Sequence, residues 1–77
     1  MKRAEENIHE LTKKILRALG EAQREKRRIE LGSLALAVGA RRSDVRSILS
    51  QLHREGYFDV LRMRLTLTGF ALATSIP

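Results

Sequence analysis

Arginine carries most of the chemistry available to this chain. Eleven of its fifteen basic residues are Arg, and no Lys follows Lys26. A planar, forked guanidinium matches phosphate oxygens and guanine edges better than an ammonium point charge does. Set against nine Asp and Glu, the cations leave a formal charge of +6 and a pI near 10.8. A polyanion is therefore the first partner to consider. Other chemistries find few residues. No Cys is present, which removes disulfides, thiolate metal sites and thiol nucleophiles together. His9 and His53 stand alone, without the spacing zinc requires, and read as surface histidines. The chain has no nucleophile elbow, no Gly-rich phosphate loop and no enforced carboxylate pair, so neither catalysis nor a cofactor is expected. Tyr57, Phe58 and Phe70 are the only aromatics. They are too few and too core-like for a platform that stacks single-stranded bases.

The elements that must position these arginines fit within one small domain. Seventy-seven residues, 43% of them apolar and 31% charged, suffice for a single core over 1–77. Met1-Lys2-Arg3 could open an export signal, but Glu5-Glu6-Asn7 follows where an apolar stretch would have to begin. The longest apolar or Gly run, Leu34 to Ala40, has seven residues, against about 20 for a bilayer span. A soluble, cytoplasmic protein is expected.

Along the chain, Ile8, Leu11, Ile15, Leu19 and Ala22 recur at spacings of three and four and predict a long helix over 5–26. Gly20 is a point where it could break. The charge run Arg24-Glu25-Lys26-Arg27-Arg28 reads as a solvated helix end, and Ile29-Glu30-Leu31 alternates as a very short strand would. Gly32-Ser33 offers start chemistry for a helix over 33–38, which Gly39 ends. A further helix over 43–55 begins with Ser43 as N-cap and Asp44 in the first turn. Gly56 stands where a left-handed C-terminal residue belongs. Its apolar stripe is Val45, Ile48, Leu49 and Leu52. The period then drops to two, and Tyr57–Leu61 and Met63–Leu67 predict a hairpin over 57–67, with Leu65 and Leu67 on one face. Its turn lacks the Gly, Asn or Asp of a tight hairpin. Thr68 is expected to cap a last helix over 68–75. The fold class is mainly α with a small β-hairpin, in the order helix, strand, helix, helix, strand, strand, helix.

Within this order Ala35, Gly39, Val45 and Ile48 have the spacings of two closely packed helices joined by a tight turn. The stretch resembles the helix-turn-helix of DNA-binding regulators, and with the hairpin and terminal helix the chain resembles a winged-helix domain. Leu65-Thr66-Leu67-Thr68-Gly69 resembles the end of the wing in bacterial and archaeal regulators of the MarR-like kind. The resemblance covers residues 8–75. It implies a small transcriptional regulator that inserts helix 43–55 in the major groove of duplex DNA. On that reading the outward face of the helix, Arg46, Ser47, Ser50, Gln51 and Arg54, meets base edges. Arg46 forks onto guanine and Gln51 onto adenine. Arg41, Arg42 and Ser43 meet phosphate at the helix start, and Arg62 and Arg64 reach the flanking backbone from the hairpin.

A homodimer follows from the small core and from the limited discrimination of one recognition helix. The apolar positions Ile8, Leu11, Ile15, Phe70, Leu72 and Ile76 are its expected interface. Use of the same fold as a protein-protein adaptor is the competing reading, and structured RNA bound by the basic first helix is a third.

Overall fold

The computed structural model describes the backbone of residues 4–76 and the side chains of residues 8–76, so Met1-Lys2-Arg3 lies outside the described residues. Within them the chain forms helix α1 (Ala4–Arg24), helix α2 (Leu31–Val38), helix α3 (Arg42–Arg54), strand β1 (Phe58–Asp59), strand β2 (Arg64–Leu65) and helix α4 (Leu67–Ser75). The two strands pair antiparallel, Phe58 opposite Leu65 and Asp59 opposite Arg64. The protein is thus mainly helical with one small hairpin, as its periodicities predict.

Ile15, Leu16, Leu19 and Ala22 of α1 are buried, with Leu16 joining the stripe that the spacing alone identified. They meet Leu34, Ala35 and Val38 of α2, Val45, Ile48, Leu49 and Leu52 of α3, Phe58 and Leu65 of the hairpin, and Ala73 of α4. Ile8 departs from the expectation: it is 55% exposed, because the first turns of α1 run past this core. The helix does not break at Gly20. That residue is buried where α4 crosses, and a Cβ there would stand 3.1 Å from the Cβ of Ala73. A close crossing, not a bend, is what the missing side chain supplies.

Three helices end in the same way. Past α2, Gly39 takes φ 69° while Ala40 N–H donates to Ala35 O and Gly39 N–H to Leu36 O. After α3, Gly56 takes φ 85°, with Tyr57 N–H bonded to Leu52 O and Gly56 N–H to His53 O. α1 closes identically, Arg27 N–H to Ala22 O and Lys26 N–H to Gln23 O, but the left-handed residue is Lys26 at φ 59°. This paired bonding satisfies helix-end carbonyls and ordinarily uses Gly.

Several boundaries differ from expectation. No strand forms at Ile29–Leu31; Leu31 instead opens α2, whose N-cap is Glu30. The reason lies in Gln23. Its Oε1 accepts from Leu65 N–H at 3.1 Å and its Nε2 donates to Leu65 O at 3.4 Å. One side-chain amide thereby occupies the outer edge of β2 where a third strand would have to bond. α3 begins one residue early, with Arg41 as N-cap, so Ser43 lies inside the first turn and caps nothing. Asp44 keeps its place in that turn. In the last helix the cap is Thr66, not Thr68: Thr66 Oγ1 accepts from Gly69 N–H at 3.0 Å and donates to Gly56 O at 2.7 Å. Leu67 consequently enters α4 and is 90% exposed, whereas Leu65 is buried, so the two do not share a face. The strands shrink to two residues each. The turn between them is organised by Asp59, whose Oδ1 accepts from Leu61 N–H at 3.0 Å and Arg62 N–H at 3.3 Å. Met63 takes the left-handed conformation at φ 52°. A carboxylate one residue before the turn replaces the expected turn residue.

Candidate nucleic-acid interface

The apolar residues of α3 recur at i, i+3, i+4 and i+7, which forces the intervening polar residues to the opposite side. Val45, Ile48, Leu49 and Leu52 are at most 8% exposed, while Arg46, Ser47, Ser50, Gln51 and Arg54 are all exposed. α2 and β1 hold the buried side of α3. His53, also exposed, anchors the C-terminal end: its Nδ1 donates to Phe58 O at 3.0 Å, tying the helix to β1.

The exposed face is not uniform. Arg54 donates from Nη2 to Gln51 Oε1 at 2.9 Å, and Gln51 Nε2 donates to Glu55 Oε2 at 2.9 Å. Both polar atoms of Gln51 are therefore engaged along the helix, and a base edge would have to displace one of these bonds. Such exposed bonds contribute about 1 kcal/mol or less each. Arg46 has no such partner among the described residues and projects into solvent.

At the start of α3, Arg41, Arg42 and Ser43 are exposed, and the N-cap residue Arg41 makes no side-chain bond to the first turn. The open N–H groups and the positive dipole end favour an anion there. Arg42 reaches backwards, however. Its guanidinium lies over Gly32 of α2, where a Cβ would approach Nη2 to 2.9 Å.

Arg62 and Arg64 are exposed on the hairpin, Arg62 with its Nε 3.9 Å from Asp59 Oδ2. They line one cleft with Lys26, Arg27 and Arg28 of the segment after α1. The ten expected residues thus form an α3 group, including its lead-in, and a hairpin pair that shares its surroundings with cations from elsewhere. Lys26, Arg27 and Arg28 were not among the expected site residues, because an alternating charge run at a helix end reads as solvated surface. Gln23 was also missed. The available signal was a polar residue four positions after Leu19, in register with the buried stripe.

Of the expected interface between copies, Ile15 is withdrawn: it is fully buried in the chain's own core. Leu11, Phe70, Leu72 and Ile76 are half-buried against that core, and Ile8 stands outside it. Among the described residues no helix is long and apolar enough to cross a membrane. No protein-family model, no curated protein and no solved structure matches the chain.

Proposed function

We propose that the protein binds duplex DNA as a winged-helix transcriptional regulator, with α3 in the major groove and Arg62 and Arg64 against flanking phosphates. One observation carries the reading: from Arg46 to Arg54 the exposed side of α3 holds cations, hydroxyls and an amide with no carboxylate, behind a buried aliphatic stripe. Helix width and groove width match, and these side chains are the ones that hydrogen-bond base edges. The charge of +6 supplies the sequence-independent part of the affinity.

Titration of random 20-base-pair duplex at several salt concentrations tests this. Binding that weakens steeply with salt is expected, and Arg46→Ala with Arg54→Ala together should weaken it. Light scattering on the same samples should give two protein chains per duplex if a second copy joins along Ile8, Leu11, Phe70, Leu72 and Ile76. Unchanged affinity in the double variant removes α3 from the contact.

A second reading, an adaptor for other proteins, is favoured by three leucines, Leu36, Leu61 and Leu67, which are 86%, 92% and 90% exposed. Absence of duplex binding at low salt decides for it.

A further inference from the structure

Between the C-terminal end of α1, the segment that follows it and the hairpin turn lies a cleft of about 420 Å³. It exists because Gln23, and not a third strand, holds the edge of β2, leaving the chain from Arg27 to Glu30 standing off the hairpin. Its volume falls within the range of small-molecule sites. Lys26, Arg27, Arg28, Arg62 and Arg64 surround it, all exposed. Glu25 takes up Arg27 at 2.6 Å and Asp59 lies 3.9 Å from Arg62, which leaves three of the five cations without an acidic partner among the described residues. The floor is apolar: Leu19 and Ala22 are buried, and Ile29 and Met63 are half-buried.

A second, independent observation falls on the same place. Among the described residues only Lys26 and Met63 have positive φ without being Gly, and both line this cleft. Left-handed backbone costs a side-chain-bearing residue about 1 kcal/mol. Lys26 closes α1 and Met63 packs partly against the core, and both present their strained backbone at the cleft. Conformations of this kind gather at ligand sites.

We propose that this cleft binds a small polyphosphate ester, with its phosphates on the guanidinium rim and a flat ring on the Leu19, Ala22, Ile29 and Met63 floor. Three cations so placed suit a ligand of several negative charges, and guanidinium forks suit phosphate oxygens. A mononucleotide triphosphate has the charge, the ring and the size. The ligand is distinct from the duplex of the preceding section, but the two share Arg62 and Arg64. Occupancy of the cleft therefore weakens duplex binding to whatever extent the hairpin contributes to it.

Calorimetric titration of the whole protein with adenosine triphosphate, inorganic tripolyphosphate and adenosine, without divalent cations, separates the terms. One adenosine triphosphate per chain should bind at least ten-fold more tightly than tripolyphosphate, despite similar charge, and adenosine alone should not bind measurably. The double variant Arg28→Ala, Arg64→Ala, at two exposed positions outside the core, should weaken adenosine triphosphate at least ten-fold. The double variant Arg46→Ala, Arg54→Ala should leave it unchanged while impairing duplex binding, so failure here is distinguishable from failure of the duplex reading. Equal affinity for tripolyphosphate, equal loss in both double variants, or loss of duplex binding alone in the cleft variant would each overturn the proposal.

Discussion

At the hairpin base two backbones touch because one residue lacks a side chain. Gly69 lies so close under Tyr57 that a Cβ would overlap the Tyr57 carbonyl, the same oxygen that accepts from Thr66 N–H at 3.1 Å. Here the neighbour is main chain and cannot rotate away. Gly69→Ala should therefore destabilise by about 2 kcal/mol or more, at the upper end of overpacking costs, measured by urea unfolding. A shift of the midpoint no larger than that of a surface substitution would show that α4 slides without cost. Lys26 presents the reverse case. Its φ of 59° at the end of α1 is one that Gly adopts freely. Lys26→Gly should stabilise the fold by about 1 kcal/mol, again by urea unfolding, and should weaken adenosine triphosphate if the cleft is a site. Stability and ligand affinity moving in opposite directions is the signature of a residue kept for binding.

Among the elements, the hairpin depends most on its neighbours. Two residues per strand give few ladder bonds, and isolated short hairpins are marginal at best. Gln23 adds two bonds from α1, and Thr66 ties the base to Gly56 O at 2.7 Å. Gln23→Ala leaves Leu65 N–H and C=O without partners in a half-buried site, at a cost of about 1 to 3 kcal/mol. Urea unfolding reads the cost, and the Leu65 amide should lose its protection from hydrogen exchange. If that amide stays protected, Gln23 is not its acceptor. Helices were legible from the sequence because burial imposes a period of 3.6, and the stripe of α3 is visible at Val45, Ile48, Leu49 and Leu52 without coordinates. The strand at Ile29–Leu31 was misjudged because alternation over three residues says nothing about whether an edge is free to receive it. That question was decided by a glutamine six residues upstream. Both caps shifted by two residues for a similar reason: Ser43 and Thr68 have the right chemistry, but Arg41 and Thr66 have the right backbone. The exposed polar face of α3 was legible from the sequence, whereas the cationic cleft was not. Its rim comes from segments more than thirty residues apart, brought together only by the fold.

For the molecule as a whole, charge is divided between two surfaces that the fold keeps separate in origin. One is the outer side of α3, made by a single helix and therefore rigid. The other is the cleft, made by a helix end, a connecting segment and a turn. A duplex that used only the first would be indifferent to a ligand in the second, whereas one that also used Arg62 and Arg64 would compete with it. Such linkage is reciprocal: any ligand that weakens duplex binding through Arg62 and Arg64 is itself bound more weakly when duplex is present. With α1 touching α2, α4 and β2, the longest helix is the common wall for the other elements. Burial of Ile15, Leu16, Leu19 and Ala22 concentrates the core on its C-terminal half.

That wall also orders events in time. The bonds between Gln23 and Leu65 span 42 residues, and the loop they close has to be formed before they contribute anything. Helix-helix contacts between α1, α2 and α3 close shorter loops and come first. On this ordering the hairpin and α4, whose contacts with α1 close the longest loops, are expected to form after the first three helices. Substitution of Asp59 or Gln23 should accelerate unfolding while leaving the refolding rate almost unchanged in stopped-flow measurements. Slowed refolding would place the hairpin in the nucleus instead.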